Sequence, residues 1–154
     1  MMAVTVVSAK GECTVNSDTE ITLASAEEQP IVSPWTEKSL SPGDLIYKPL
    51  STQYIVQGQT INHYVSVGSG VSWLEVDLNW GVPSNSLALT PYTPSGVSLG
   101  TFHDSYDGSV NGRIHMDIYP SQGYIQQGSW RFKVYGESVS GTQQYTFNVY
   151  AHYA

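Results

Sequence analysis

The chain is predicted to fold as an all-β, two-sheet antiparallel sandwich, jelly-roll-like and with little helix. Three observations predict it. From about residue 53 onward, apolar and polar side chains alternate with period two, the pattern of strands with one buried and one solvated face. Gly and Pro turns interrupt these runs at short intervals, as in sandwiches and barrels. No segment sustains three-and-four spacing of apolar residues over a helical length. The 154 residues suit one domain, and a composition 40% hydrophobic and 12% aromatic supplies a core.

Residues 1–52 read as an extended arm. Pro30, Pro34, Pro42 and Pro49 each remove a ladder donor and favour edges or irregular backbone. Trp35, Leu40, Leu45, Ile46 and Tyr47 are apolar enough to dock part of it. The apolar start, ending in Val7-Ser8-Ala9, fits either the tail of an export signal or a first strand.

Residues 53–154 form the sandwich. Its first strand is Gln59–Val67, with Ile61, Tyr64, Val65 and Val67 as its apolar side chains. In Trp73–Trp80, alternation puts Leu74, Val76, Leu78 and Trp80 in the core and Trp73, Glu75, Asp77 and Asn79 outside. Ser86–Tyr92 follows and ends at the turn Thr93-Pro-Ser-Gly96, from which Val97–Phe102 leads away. Arg113–Ile118 buries Ile114, Met116 and Ile118; Ser129–Val134 buries Trp130, Phe132 and Val134. Gln144–Ala151 buries Tyr145, Phe147, Val149 and Ala151. Gly136–Gly141 reads as the loop of a hairpin joining the last two strands.

A net charge of −7, from 6 basic and 13 acidic side chains, argues against nucleic acid, whose phosphates need Lys and Arg. The single cysteine, Cys13, rules out an intramolecular disulfide and a Cys-based zinc site. No apolar run is long enough for a membrane span. Only 12% of residues are charged, about half the usual fraction, so Ser, Thr, Asn, Gln and Tyr supply the polar surface, a pattern suited to an extracellular or cell-envelope location.

The most suggestive polar run is Asp104–Gly112. Asp104, Asp107 and Asn111 supply the oxygens that calcium (Ca2+) requires, and Gly108 and Gly112 let the loop curl; an ordinary Asp/Asn/Gly turn is the other reading. Glu75 and Asp77, with Asn79, can add a second oxygen group, or simply face solvent beside a Lys or Arg. His63, His103, His115 and His152 have no metal-ligand spacing, though His115 and His152 face outward and can meet across a sheet. There is no Gly-x-Ser-x-Gly elbow and no phosphate-binding glycine loop, so no catalytic residues are assigned. The outward aromatics Trp73, Tyr135 and Tyr150 suit sugar stacking or contact with a peptide, or else lie beneath the arm.

Tyr54–Tyr150 resembles the bacterial and archaeal pre-peptidase C-terminal domain, a β-sandwich related in architecture to the collagen-binding domains of clostridial collagenases. The resemblance is carried by Gly58-Gln-Thr60, Trp73-Leu-Glu-Val-Asp-Leu-Asn79, Leu87-Ala-Leu-Thr-Pro-Tyr-Thr-Pro-Ser-Gly96, Gly128-Ser-Trp-Arg-Phe-Lys-Val-Tyr135 and Tyr145-Thr-Phe-Asn-Val-Tyr150. It implies an accessory domain of secreted hydrolases, with calcium and matrix or polysaccharide binding in some relatives. The usual protease domain is missing from this chain.

Together these readings lead to an expectation: a non-enzymatic, exported binding or accessory module, calcium-stabilised, that engages a polysaccharide, cell-surface or protein partner. The alternative is a cell-envelope structural protein that self-associates weakly when its arm adds a strand to a sheet edge. A small hydrolase lacks a constellation to carry it.

Overall fold

The computed structural model describes residues 29–37, 45–48 and 52–153. The apolar start, Cys13 and Leu40 lie outside them. Among the described residues, nine strands form two antiparallel sheets: β1 (Ile31–Pro34), β2 (Leu45–Lys48), β3 (Thr52–Val56), β4 (Thr60–Val67), β5 (Trp73–Asn79), β6 (Ser86–Tyr92), β7 (Arg113–Tyr119), β8 (Gly128–Ser138) and β9 (Thr142–His152). The helical content of the described residues is one 3-10 turn, Asp104–Asp107.

The larger sheet runs β1-β7-β5-β9, and the far edge of β9 is shared by β2 and β3. β3 pairs with residues 142–146 of β9 and β2 with residues 149–151. The smaller sheet runs β4-β8-β6. From β3 onward every connection crosses from one sheet to the other, so no two consecutive strands pair. The expected β8–β9 hairpin is therefore replaced by a crossing between sheets. β8 continues through Gly136 to Ser138, and the turn is confined to residues 139–141. Gly136 faces β3, and a Cβ there would collide with the Val56 carbonyl oxygen.

Two segments of the arm belong to the sheet. β1 lies antiparallel on β7, with Val32 opposite Ile118, and β2 pairs with β9. Within the described residues, then, the arm adds its strands to its own sandwich.

The core lies between the sheets. Leu74, Val76 and Leu78 of β5, Ile114, Met116 and Ile118 of β7, and Tyr145, Phe147 and Val149 of β9 meet Val65, Leu87, Leu89, Trp130, Phe132 and Val134 of the smaller sheet. His63 is a buried polar residue on the inward face of β4. Its ring stacks on Phe147, with 4.7 Å between centroids, and its Nε2 lies 2.8 Å from the Tyr145 hydroxyl. Burial pushes the Tyr145 phenol's pKa up, which keeps that hydroxyl protonated. Tyr64, expected among the apolar side chains of its strand, has the opposite parity to Ile61 and Val65 and faces outward, 61% exposed.

Candidate functional site

Each sheet has an outer face, and the two faces differ in chemistry. On the larger sheet, β5 lies between β7 and β9, which puts Glu75 between His115 and His152. The two histidines meet through this carboxylate rather than by direct pairing of their strands. His115 Nε2 donates to Glu75 Oε2 at 2.7 Å, and His152 Nε2 donates to Oε1 at 2.9 Å. An ionised carboxylate only accepts, so both imidazoles must carry a proton on Nε2. Burial acts to raise the Glu75 pKa, but the hydrogen bonds and charge of His115 and His152 outweigh it and hold the carboxyl below its ordinary value.

Indoles cover both imidazoles. Trp35, just beyond β1, lies flat on His115 with 4.3 Å between centroids, and Trp73 lies flat on His152 at 4.5 Å. The histidines are only 8% and 5% exposed. Beside them, Arg113 grips Asp77 with a two-pronged hydrogen bond of 2.8 and 2.7 Å, which together with Glu75 pushes the guanidinium's pKa up. Asp117 is buried and accepts from the Thr36 amide, tying the chain after β1 to the sheet. Tyr150, opposite Glu75 on β9, is half-buried, and its phenol's pKa is raised by that burial and by the charges of Asp77 and Glu75. This face is a closed polar layer.

The oxygen-bearing candidates have partners of other kinds. Asp104 is buried and holds its loop by accepting from three backbone amides: Asn111 at 3.1 Å, Gly112 at 2.8 Å and Arg113 at 3.3 Å. Loop amides thus reach both carboxylate oxygens, two on Oδ1 and one on Oδ2. Asp107 accepts from the Ser109 amide two residues on, an Asx turn, and Asn111 is exposed. Of the expected calcium ligands, then, Glu75 and Asp77 are held by histidines and arginine, Asp104 and Asp107 accept from backbone amides, and Asn111 is exposed. Among the described residues, no group of three or more His, Cys, Asp or Glu is arranged to hold a metal ion.

The smaller sheet's outer face is exposed along β4 and at Tyr135 of β8, while on the β6 side Ala88 and Thr90 are buried. Strand register places Tyr64, Arg131 and Tyr92 in one row across β4, β8 and β6, and Asn62, Lys133 and Thr90 in the next row on the same side. The third row holds Thr60, Tyr135 and Ala88. Strands lie about 4.8 Å apart, so Tyr64 and Tyr92 are roughly 10 Å apart with the guanidinium between them. Arg131 stacks on Tyr92, its Cζ 3.8 Å from the ring centroid, and Nη1 donates to Asn62 Oδ1 at 3.3 Å. Lys133 Nζ lies 5.9 Å from the same ring. Among the described residues neither cation has an ion-pair partner.

No protein-family model and no curated protein matches the chain.

Of the expected contact aromatics, the structure brings Trp73 and Tyr150 together on the closed face and puts Tyr135 on the other sheet, 38% exposed. Tyr64, Tyr92, Asn62, Arg131 and Lys133 complete that face and were not singled out from the sequence. Outward parity in three separate runs was the available signal, but parity does not say which runs share a sheet.

Proposed function

We propose that the chain is a non-catalytic binding module of an exported protein, and that it holds an extended polysaccharide on the outer face of the β4-β8-β6 sheet. One observation carries this reading: a sheet face bears exposed Tyr64 and Tyr135 and half-buried Tyr92 among Arg131, Lys133 and Asn62, and among the described residues the two cations have no carboxylate partner. Tyrosine rings offer apolar faces for sugar stacking, and the amide and cationic groups offer directed donors. An accessory role is also what the resemblance of Tyr54–Tyr150 to pre-peptidase C-terminal domains, an expectation from the sequence alone, would imply.

A catalytic reading finds less support. In the shallow cleft of about 190 Å³ lined by Ser86, His103, Asp104 and Glu137, Ser86 Oγ and His103 Nδ1 both donate to the same Glu137 oxygen, at 2.9 Å each. Ser86 thus directs its proton to a carboxylate and not to the imidazole, so no nucleophile–base pair forms.

The test is affinity electrophoresis through gels containing soluble polysaccharides. Retardation by at least one polysaccharide, lost in Tyr64→Ala and Tyr135→Ala with far-UV circular dichroism unchanged, is the expected result. Migration of the wild-type chain unaffected by every polysaccharide, or retardation that both variants retain, would sink the reading.

A further inference from the structure

We infer that the polysaccharide held by this face is an acidic one, carrying uronate carboxylates. The inference rests on the binding reading above and names its ligand class. The chain as a whole has a net charge of −7 from 13 acidic and 6 basic side chains, yet Arg131 and Lys133 stand two residues apart on the central strand of this face. Arg113, by contrast, is already neutralised by Asp77. An acidic protein with two cations that have no ion-pair partner among the described residues, side by side on an aromatic sheet face, presents local positive charge against its overall field.

The guanidinium is also oriented. Stacking on Tyr92 fixes its plane and the bond to Asn62 fixes its rotation, so the remaining N–H groups form a fork of the kind that matches a planar carboxylate. Lys133, two residues along the strand and with its Nζ 5.9 Å from the same Tyr92 ring, adds a second positive charge to the patch. Tyr64 and Tyr135 flank the two cations and can stack on the sugar rings that bear those carboxylates. A neutral glycan would leave both cations without a charge partner.

The experiment measures binding of polygalacturonate, alginate, neutral xylan, polyglutamate and single-stranded DNA by titration calorimetry, with wild type, Arg131→Gln, Lys133→Gln and Tyr64→Ala. The expected result is binding of a uronate polymer that weakens with added salt. Arg131→Gln should lower the affinity roughly tenfold or more, and Tyr64→Ala should lower it as well. If xylan binds as well as the uronates, and Arg131→Gln leaves binding intact while Tyr64→Ala removes it, the acidic class is overturned and the polysaccharide face stands. If polyglutamate or DNA binds in place of any polysaccharide, or nothing binds, both readings fall.

Discussion

The Trp35 indole lies parallel to the His115 imidazole, 10° from coplanar and 4.3 Å away, and the Trp35 amide donates to the His115 carbonyl at 3.0 Å. Trp35 thus adds both a side-chain and a backbone contact with β7 just beyond the β1 ladder. Trp35→Ala removes the stacking and uncovers a buried histidine. The expected cost is about 1–2 kcal/mol, read from urea denaturation. Limited proteolysis between residues 31 and 37 should speed up at the same time. An unchanged midpoint with unchanged proteolysis would show that the β1 segment is held by its β7 ladder alone.

Glu75 is the acceptor for two buried donors, so Glu75→Gln sets an amide NH2 against one of the two imidazole N–H groups. We expect about 2–3 kcal/mol of destabilisation at neutral pH. The pH dependence has a defined sign. The folded carboxyl lies below its ordinary value of 4.5, so its contribution to stability is complete above that pH and is lost as pH falls through the lower folded value. Wild type should therefore lose stability relative to Glu75→Gln on acidification below 4.5, and the two denaturation curves should converge. Parallel curves would remove Glu75 from the acid response.

Asp104→Ala leaves three loop amides without their acceptor and should cost about 2–4 kcal/mol. Asp107→Ala, which loses one exposed Asx-turn bond, should cost less than about 1 kcal/mol. Because amides occupy the Asp104 oxygens, calcium and chelator are expected to leave the melting midpoint of the wild type unchanged. A rise of several degrees with calcium, abolished in Asp104→Ala, would instead show linkage of a native-state site to folding.

Gly136 packs its Cα against the backbone of β3, and Gly136→Ala drives a methyl group into the Val56 carbonyl. The expected cost is about 1–3 kcal/mol, measured by thermal unfolding. Gly141→Ala, which has open space at its Cβ but a φ of +71°, should cost about 1 kcal/mol through backbone strain alone. A larger loss at Gly141 than at Gly136 would contradict this ordering.

The sequence by itself determined which side chains of each strand turn inward. Leu74, Val76 and Leu78 are buried, as are Ile114, Met116 and Ile118, because period-two alternation is a local property of extended backbone. Tyr64 shows that this rule outranks the apolarity of a single side chain. Its apolar ring suggested the core, but its parity put it outside, where a phenol can sit with its hydroxyl in water. What only the tertiary structure decided is which outward residues share a face. Every connection after β3 crosses between sheets, so neighbours such as Tyr64 and Arg131, or Glu75 and His152, are brought together by ladders between segments distant in sequence. Trp73 and Tyr135 are both outward by parity, yet they lie on opposite sides of the molecule for the same reason. Local alternation sets the direction of a side chain relative to its own strand, and long-range hydrogen bonding sets which strand lies beside it.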